Sequence, residues 1–462
     1  MNQVKSNRWL EGWQPEEGKW NPKLAHLTGM ITTFNLGLAF CTWFLASALA
    51  PKLQGLGFHL SKSELYWITA MPGLAGGLLR IVWMFLPPIL GTRKLVTFTT
   101  LLFLIPLVGW GMAVQDPNTS YKHFLVLAFL SGIGGGAFSG YMPSTSYFFP
   151  KRLQGTTLGL QAGLGNFGVS FVQFLTPWIV GFSLVGFMGP ARKFTNPATG
   201  ISADAWYQNA AYIYVPFVII GAVLAWTVLK SVPVTANFRK QMDIFGNIDT
   251  LWMTLLYVMT FGIFSGLSAQ FGLLIKNIFG AGNAQIVEVV DGVNKLLVTG
   301  YTVPDVAKYA FLGPLVGAGA RILFAPLTDK FGGALWTIVS SVGLFVSIIF
   351  TAQHVTPEVA LGATHLNSEF HYFLYGMIAI FFFAGIGNAS TFKQMPMIFE
   401  PRQAGGVIGW VSAIAAFGPF LFGVGLVSFT PYTFLLGLSA YVVLCFLITW
   451  FRYAKPGAAK KS

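Results

Sequence analysis

Twelve long apolar stretches run through the 462-residue sequence. Each is about as long as the roughly 17–25 residues that an α-helix needs to cross a bilayer. Only 9% of the residues are charged, whereas a water-soluble protein normally carries about 25%. The sequence therefore predicts an all-α integral membrane protein with twelve transmembrane helices. The predicted spans lie near residues 28–50, 66–90, 95–115, 123–147, 158–183, 211–231, 251–275, 307–328, 334–353, 372–395, 406–428 and 432–452.

The connections between the spans predict an orientation and a domain boundary. An even number of spans places both termini on one side, and Lys and Arg residues concentrate in the connections on that side. Because basic connections stay in the cytoplasm, both termini are predicted to be cytoplasmic. We predict an N-terminal half at residues 1–230, with a cytoplasmic lead-in and spans one to six, and a cytoplasmic linker at 231–250. The C-terminal half at 251–462 then holds spans seven to twelve and a short tail.

The two halves share glycine markers. Residues 132–134 read Gly-Ile-Gly and are followed by Met-Pro at 142–143, and residues 385–387 and 395–396 repeat this pattern at the same spacing. A duplicated six-helix unit in parallel orientation is the major facilitator architecture, in which substrate binds near the membrane midplane between the halves. The sequence therefore predicts two pseudo-symmetric six-helix halves.

Two arginines, Arg80 and Arg321, lie inside apolar stretches of the two halves. Each stands eleven residues before a glycine, Gly91 or Gly332, that opens a short charged loop. That spacing corresponds to about 16 Å of helix, close to the middle of a hydrocarbon layer roughly 30 Å thick. All fifteen Asp and Glu residues fall in loops, termini or span edges, so neither arginine has an internal counter-ion.

An unpaired buried charge is strongly unfavourable, so we expect a bound anion to neutralise these arginines. A guanidinium group matches planar pairs of oxygen atoms, which favours a carboxylate or a small oxoanion. The alternative is that each arginine bonds helix-end carbonyl groups or water. The same lack of membrane carboxylates disfavours a simple carboxylate proton relay.

Other function classes lack their sequence signals. The sequence has no phosphate-binding loop and no zinc-ligand spacing, and its two cysteines, Cys41 and Cys445, lie in apolar stretches. We therefore expect no enzyme activity, catalytic residue, metal or cofactor. The net charge of +13 is spread over short loops, so we expect lipid rather than nucleic acid as a partner. No apolar signal region precedes the first span, and the connections 184–210 and 276–306 are predicted to be outer caps.

Several motifs together resemble the NarK-like nitrate/nitrite porters of the major facilitator superfamily. GLQAGLGNFGVSFVQ (159–173) is similar to the nitrate signature of the fifth span. GGLLRIVWMFLPPILGTRK and GAGARILFAPLTDKFGG are similar to the arginine-bearing second and eighth spans, and LLYVMTFGIFSGLSAQF (255–271) is similar to the seventh. GGGAFSGYMPSTSYFFPK (134–151) and GIGNASTFKQMPMIF (385–399) extend the resemblance to the fourth and tenth spans.

This resemblance implies a nitrate or nitrite site between the halves. It places the ion on Arg80 and Arg321 and encloses it between Phe138 and Phe261. It also implies a polar lining role for Tyr257 and a role for the fifth-span Asn166. Aromatic rings that exclude water would strengthen the arginine contacts, because electrostatic interactions grow as the local dielectric falls. For a single phenylalanine, plain packing or lipid contact is the alternative.

Glycines of the fifth and eleventh spans are predicted to let helices approach closely and slide during transport. Static packing is the alternative, and the eleventh span carries alanines where the family's second signature is rich in glycine. The predicted set comprises Gly159, Gly163, Gly165, Gly168, Gly406 and Gly409, together with Gly418.

Lys393 departs from the resemblance, because NarK-like proteins carry glutamine there. One hypothesis makes it a third positive group near the anion path, which could couple transport to protons by losing and regaining a proton. In the alternative, its stem lets the ammonium group reach the cytoplasmic surface.

The sequence thus predicts a carrier that moves nitrate and/or nitrite by alternating access, with nitrate/nitrite exchange as the leading mode. A nitrate–proton symporter that uses Lys393 and an anion channel for small monovalent anions are the alternatives. We expect a monomer with many spans in a bacterial inner (plasma) membrane.

Overall fold

The computed structural model describes residues 9–15, 20–184, 189–197, 199–234, 242–290, 293–458, 460 and 462. Residues 235–241, in the middle of the predicted linker, and residues 1–8 and 16–19 of the predicted lead-in lie outside the described residues.

Helices make up most of the described chain. The N-terminal half contains α1 Pro22–Leu53, α2 Lys62–Trp83, α3 Leu86–Leu102, α4 Leu104–Ala113, α5 Tyr121–Ser146, α6 Lys151–Ile179, α7 Asn209–Tyr212 and α8 Tyr214–Val228. The C-terminal half contains α9 Ile248–Tyr257, α10 Ile263–Phe279, α11 Val306–Tyr309, α12 Leu312–Phe331, α13 Gly333–Ala352, α14 Ala363–Ile398, α15 Pro401–Ala415, α16 Gly418–Ser428 and α17 Pro431–Thr449. One turn of π-helix, Val258–Gly262, joins α9 to α10, and another, Trp450–Ala454, follows α17.

Eleven helical segments among the described residues are long and apolar enough to cross a membrane. The predicted fifth span coincides with α6, which is not one of these eleven. Gln161, Asn166 and Gln173 interrupt its apolar surface, and all three are buried inside the bundle. α6 is nevertheless a helix of 29 residues, about 43 Å long by the standard rise.

The predicted boundaries of four spans differ from those in the structure. The second span was predicted to run from 66 to 90, but α2 ends at Trp83, and prolines 87 and 88 start a separate short helix because a proline cannot donate the next helical hydrogen bond. Arg80 is therefore not on one continuous helix to Gly91, which turns the chain with a φ of 72°. The first and tenth helices extend past their apolar cores. The seventh continues to Phe279, so Lys276 lies in α10 rather than in a loop.

The outer connections also differ from an all-α description. Arg192–Thr195 (β1) and Ser202–Ala205 (β2) form one antiparallel hairpin, and Val287–Val290 (β3) and Val293–Leu296 (β4) form another. Arg192 fastens the first hairpin to the bundle, because its guanidinium nitrogens donate to the carbonyl groups of Val114 and Leu56 at 2.8 and 2.7 Å.

The repeated glycines make equivalent contacts in both halves. A Cβ atom on Gly132 of α5 would overlap Ala75 and Gly76 of α2, and one on Gly385 of α14 would overlap Gly317 and Ala320 of α12. The absence of a side chain therefore brings α5 against α2 and α14 against α12, the two helices that carry Arg80 and Arg321.

The halves contact each other at what we call the outer end, the end that carries the two hairpins. Gln173 of α6 donates to the carbonyl oxygen of Ser268 in α10 at 2.8 Å, and Thr69 of α2 bonds Gln270 of α10 at 2.7 Å. Lys276 of α10 donates to α1 and to the turn that follows it. The outer end is therefore closed by polar contacts between the halves.

Candidate functional site

Arg80 is fully buried in the last turn of α2. Its Nε donates to the carbonyl oxygen of Gly135 in α5 at 2.8 Å, and its Nη1 donates to that of Ser412 in α15 at 2.8 Å. Its Nη2 is buried with no hydrogen-bond partner in the described part of the chain. Two nitrogens of Arg80 therefore bond backbone carbonyl groups, which was the alternative to anion binding. The third nitrogen, Nη2, remains available for a ligand.

The eleventh predicted span is broken just after Ser412, whose carbonyl group faces Arg80. α15 ends at Ala415 and α16 begins at Gly418, with Pro419 in its first turn. The Ser412 carbonyl oxygen also accepts from the backbone N–H of Ala416 at 3.1 Å, and carbonyl groups near the end of a helix carry partial negative charge. The interrupted span therefore brings the negative end of α15 to a buried cation of the other half.

Arg321 occupies the corresponding place in α12 and is 2% exposed. Its Nη1 and Nη2 are both buried without a hydrogen-bond partner among the residues described. Neither arginine forms an ion pair with a described acidic residue. Two buried cations thus present three nitrogens that no described protein atom satisfies, and such groups are costly unless a ligand pairs with them.

Aromatic rings connect the two guanidinium groups. The Cζ atom of Arg80 lies 4.5 Å from the ring centre of Phe138 and 5.2 Å from those of Trp43 and Phe261. The Phe261 ring stacks on Tyr257, with centres 5.5 Å apart and planes at 7°.

The second part of this chain of rings ends at Arg321. Tyr257 contacts Phe392 of α14 at 6.3 Å between ring centres, and the Cζ atom of Arg321 lies 5.4 Å from the Phe392 ring centre. The π-helical turn at Val258–Gly262 contains Phe261 and directly follows Tyr257. Single π-helical turns within helices are frequently found at functional sites. Trp43 and Phe392 were not predicted, because each is one aromatic residue among many in apolar stretches.

Several neutral polar groups in the bundle also lack partners. The amide of Asn166 and the hydroxyl group of Tyr257, both predicted site residues, are fully buried with no hydrogen-bond partner among the described atoms. The amides of Gln161 and Asn388 share this property and were not predicted. The signal was available, because each is an amide inside an apolar stretch of a predicted span.

The predicted glycines lie in different surroundings. A Cβ atom on Gly163 would overlap Ile322 of α12, and atoms on Gly165 and Gly168 would overlap Leu36 and Gly37 of α1. By contrast, Gly159 has no heavy atom within 4 Å of such a position. In the eleventh predicted span, a Cβ atom on Gly406 would lie 3.7 Å from Ile244 and one on Gly409 would lie 3.2 Å from Met84, while Gly418 packs on Gly262.

Lys393 pairs with an acidic residue. Its Nζ lies 2.5 Å from Oδ1 of Asp329, in the last turn of α12, and the two side chains are 33% and 46% exposed. The structure therefore gives Lys393 a local ionic partner at the edge of the bundle.

The chain matches the family model for the Major Facilitator Superfamily over residues 32–364. It is 55% identical over 459 residues to the "Probable nitrate/nitrite antiporter NarK2" of Thermus thermophilus, and this alignment covers 98% of each chain. It is 31% identical to the "Nitrate/nitrite transporter NarU" of Escherichia coli (strain K12), over all of this chain and 99% of the other.

Solved structures show the same fold at low identity. The proton:xylose symporter XylE, bound to 6-bromo-6-deoxy-D-glucose, matches with a TM-score of 0.64 and 13% identity over 93% of this chain and 96% of the other. A bacterial homologue of the human lysosomal transporter Spinster matches with a TM-score of 0.61 and 14% identity, over 93% and 98% of the two chains.

Proposed function

This chain belongs to the major facilitator superfamily and, within it, to the NarK-like nitrate/nitrite porters, and on that premise we propose that it exchanges nitrate and nitrite across the membrane by alternating access. The observation that carries the proposal is the set of three unpartnered nitrogens on Arg80 and Arg321. A planar oxoanion satisfies such donors in pairs.

The binding step follows from these groups. Nitrate or nitrite lies between the two arginines, with the rings of Phe138 and Phe261 on Arg80 and the ring of Phe392 on Arg321. The unpartnered hydroxyl group of Tyr257 and the amide of Asn166 supply further polar contacts. Because the rings keep water away, each arginine–oxygen contact is stronger than it would be in water.

The exchange mode follows from the charge of the empty site. The two guanidinium groups belong to different halves, so an empty site brings two positive charges together when the halves close. A bound monovalent anion reduces this repulsion and lowers the free energy of the closed state. The carrier therefore changes sides most readily when loaded, which is the condition for exchange.

The topology completes the proposal. We infer twelve spans, with α6 as the fifth, and cytoplasmic termini, because an even number of spans leaves both termini on one side and the basic connections lie on that side. The chain is a multi-pass protein of the inner membrane. In this orientation, the polar contacts of Gln173, Thr69 and Lys276 close the outward side. The two halves meet at a linker in residues 231–250, and a monomer holds the complete site.

Proton symport through Lys393 is a second candidate. Its ion pair with Asp329 provides a different role for the lysine, which supports exchange as the main activity. A channel is a third candidate, and it would conduct the anion without an exchange partner.

Counterflow in proteoliposomes tests the proposal. Vesicles loaded with nitrite should accumulate labelled nitrate, whereas vesicles without internal nitrite or nitrate should not. Arg80→Lys and Arg321→Lys should each abolish counterflow, because one ammonium group cannot replace the planar fork. Arg192→Lys is the matched control, since Arg192 also bonds two carbonyl groups but lies in an outer hairpin. Strong counterflow in either site variant would contradict the assignment, and uptake into unloaded vesicles with measurable conductance would favour a channel.

A further inference from the structure

We propose that Asn388 is an additional anion-binding residue, and that its amide favours nitrate over nitrite by donating to an oxygen that Arg321 leaves unbound. This inference rests on the proposed function and identifies a specificity determinant within the same site. The evidence is the unpartnered state of the amide, its position on α14, and its place in the internal repeat.

The amide of Asn388 is fully buried, and neither its nitrogen nor its oxygen has a hydrogen-bond partner in the part of the chain that the structure describes. Another fully buried asparagine shows the usual arrangement. The nitrogen of Asn35 donates to the carbonyl oxygen of Ile31 at 2.8 Å, and its oxygen accepts from Thr100 at 2.9 Å. A buried amide without partners is unfavourable unless a ligand supplies them, so Asn388 has the character of a binding group.

Its position on α14 directs it toward the arginine of the same half. Residues 381, 385, 388 and 392 are spaced by four, three and four, so they lie along one face of the helix. Gly385 packs on Gly317 and Ala320 of α12, and the Phe392 ring lies against Arg321. Asn388 stands between these two contacts and therefore on the face that α14 turns toward Arg321.

The internal repeat supports this placement. Asn388 follows the glycine at 385 by three residues, as Gly135 follows Gly132 in the other half. The carbonyl oxygen of Gly135 accepts the hydrogen bond from Nε of Arg80. The equivalent position thus contacts the arginine in the N-terminal half. In the C-terminal half, the same position carries a side-chain amide, and both terminal nitrogens of Arg321 are unpartnered.

The chemistry of the two ions explains the expected preference. A guanidinium fork donates to two oxygens in one plane, which satisfies both oxygens of nitrite. Nitrate has a third oxygen, and this oxygen needs a further donor when water is excluded. The amide nitrogen of Asn388 donates two hydrogen bonds and carries no charge, so it contacts the third oxygen without adding repulsion to the pair of arginines.

Binding measurements on the purified full-length protein test the inference. Asn388→Ala should raise the Kd for nitrate about tenfold and change that for nitrite less than about threefold, which is the range expected when one hydrogen bond to a charged ligand is lost. Asn367→Ala, on the same helix outside the site, should change neither value. An equal change for both ions, or no change for nitrate, would overturn the inference.

A second variant keeps the test valid if the alanine protein does not fold. Asn388→Asp is nearly isosteric and replaces the donor by a carboxylate beside Arg321, so it should abolish binding of both ions while the protein stays monodisperse in detergent. Unchanged nitrate binding in this variant would also overturn the inference. If the unmodified protein binds neither ion, the proposed function itself fails. If the unmodified protein binds both ions and Asn388→Ala binds each of them with the same affinity as the unmodified protein, only the role of Asn388 is wrong.

Discussion

The ammonium group of Lys276 lies 2.6 Å from the side-chain oxygen of Gln54 and joins the two halves at the outer end. It also donates to the carbonyl oxygen of Pro51 at 2.9 Å, and the residue is only 5% exposed. Both acceptors are neutral, so the lysine is held by hydrogen bonds rather than by an ion pair. These two bonds exist only while α10 packs against the end of α1.

Removing this contact should favour opening of the outer end. Hydrogen bonds to a charged donor contribute about 1.5–3 kcal/mol each, so Lys276→Met should shift the equilibrium toward the open state about tenfold or more. A membrane-impermeant maleimide should then label a cysteine at Ser47 faster, in a protein with Cys41 and Cys445 replaced by alanine. Lys308→Met alters an exposed lysine near the same end and should leave the labelling rate unchanged. Equal rates in the two variants would show that Lys276 does not hold the outer end closed.

Tyr257→Phe should weaken nitrate binding without destabilising the empty protein. The hydroxyl group has no partner among the described residues, so its removal costs no protein hydrogen bond, and the stacking on Phe261 remains. A lost ligand contact of about 0.5–1.5 kcal/mol corresponds to a rise in Kd of about two- to tenfold. The thermal unfolding temperature should be unchanged without nitrate, and nitrate should raise it less than in the unmodified protein.

Tyr141→Phe is the matched control, because the hydroxyl group of Tyr141 bonds Thr100 at 2.8 Å inside the bundle. This variant should lower the unfolding temperature of the empty protein and leave the nitrate affinity intact. The interpretation of Tyr257 is wrong if the two variants behave alike.

Gly163→Ala should impair transport, whereas Gly159→Ala should not. A Cβ atom at 163 would overlap Ile322, the neighbour of Arg321 in the other half, while one at 159 would meet no heavy atom within 4 Å. Overpacking of this kind costs about 1–3 kcal/mol, and here it would push α6 and α12 apart. Initial rates of nitrate uptake in proteoliposomes, normalised to reconstituted protein, measure the difference. Similar rates for the two variants would exclude close packing of α6 and α12 as a requirement for transport.

Lys393→Gln should leave the pH dependence of nitrate/nitrite exchange unchanged. The Lys393–Asp329 pair is partly exposed, and such pairs contribute about 0–1 kcal/mol to stability, so the variant should also fold normally. Asp329→Asn removes the same ion pair from the other side and serves as the comparison. If exchange loses its pH dependence in Lys393→Gln but keeps it in Asp329→Asn, the lysine itself carries the proton and the symport alternative is correct.

The sequence predicted the parts of the fold that depend on composition and repetition. Arg80 and Arg321 could be found because a charge inside an apolar stretch is rare, and the glycine markers of the fourth and tenth spans predicted equivalent packing in each half. The relatives and solved structures confirm the superfamily architecture that these markers indicated. Local sequence patterns were therefore enough to predict the two buried arginines and the close packing of helices within each half.

The contacts between distant segments could not be predicted in this way. The bond from Arg80 to Ser412 depends on where α15 stops, and a backbone carbonyl group leaves no mark in the sequence. Lys276 was assigned to the predicted connection 276–306, whereas in the structure the packing of α1 against α10 buries it. Asn388 carried a local signal, but its meaning depended on the unpartnered amide that only the structure shows.

The carbonyl group at the end of α15 has a consequence for affinity. Because Nη1 of Arg80 is already bound to Ser412 at 2.8 Å, an incoming anion that needs this nitrogen must displace a ligand that the protein itself provides. The backbone thus acts as a tethered competitor whenever α15 lies against Arg80. Such a competitor weakens the apparent affinity for the ion according to the fraction of time it occupies the nitrogen. A carrier that must release its substrate on the far side of the membrane benefits from an affinity that is not too high.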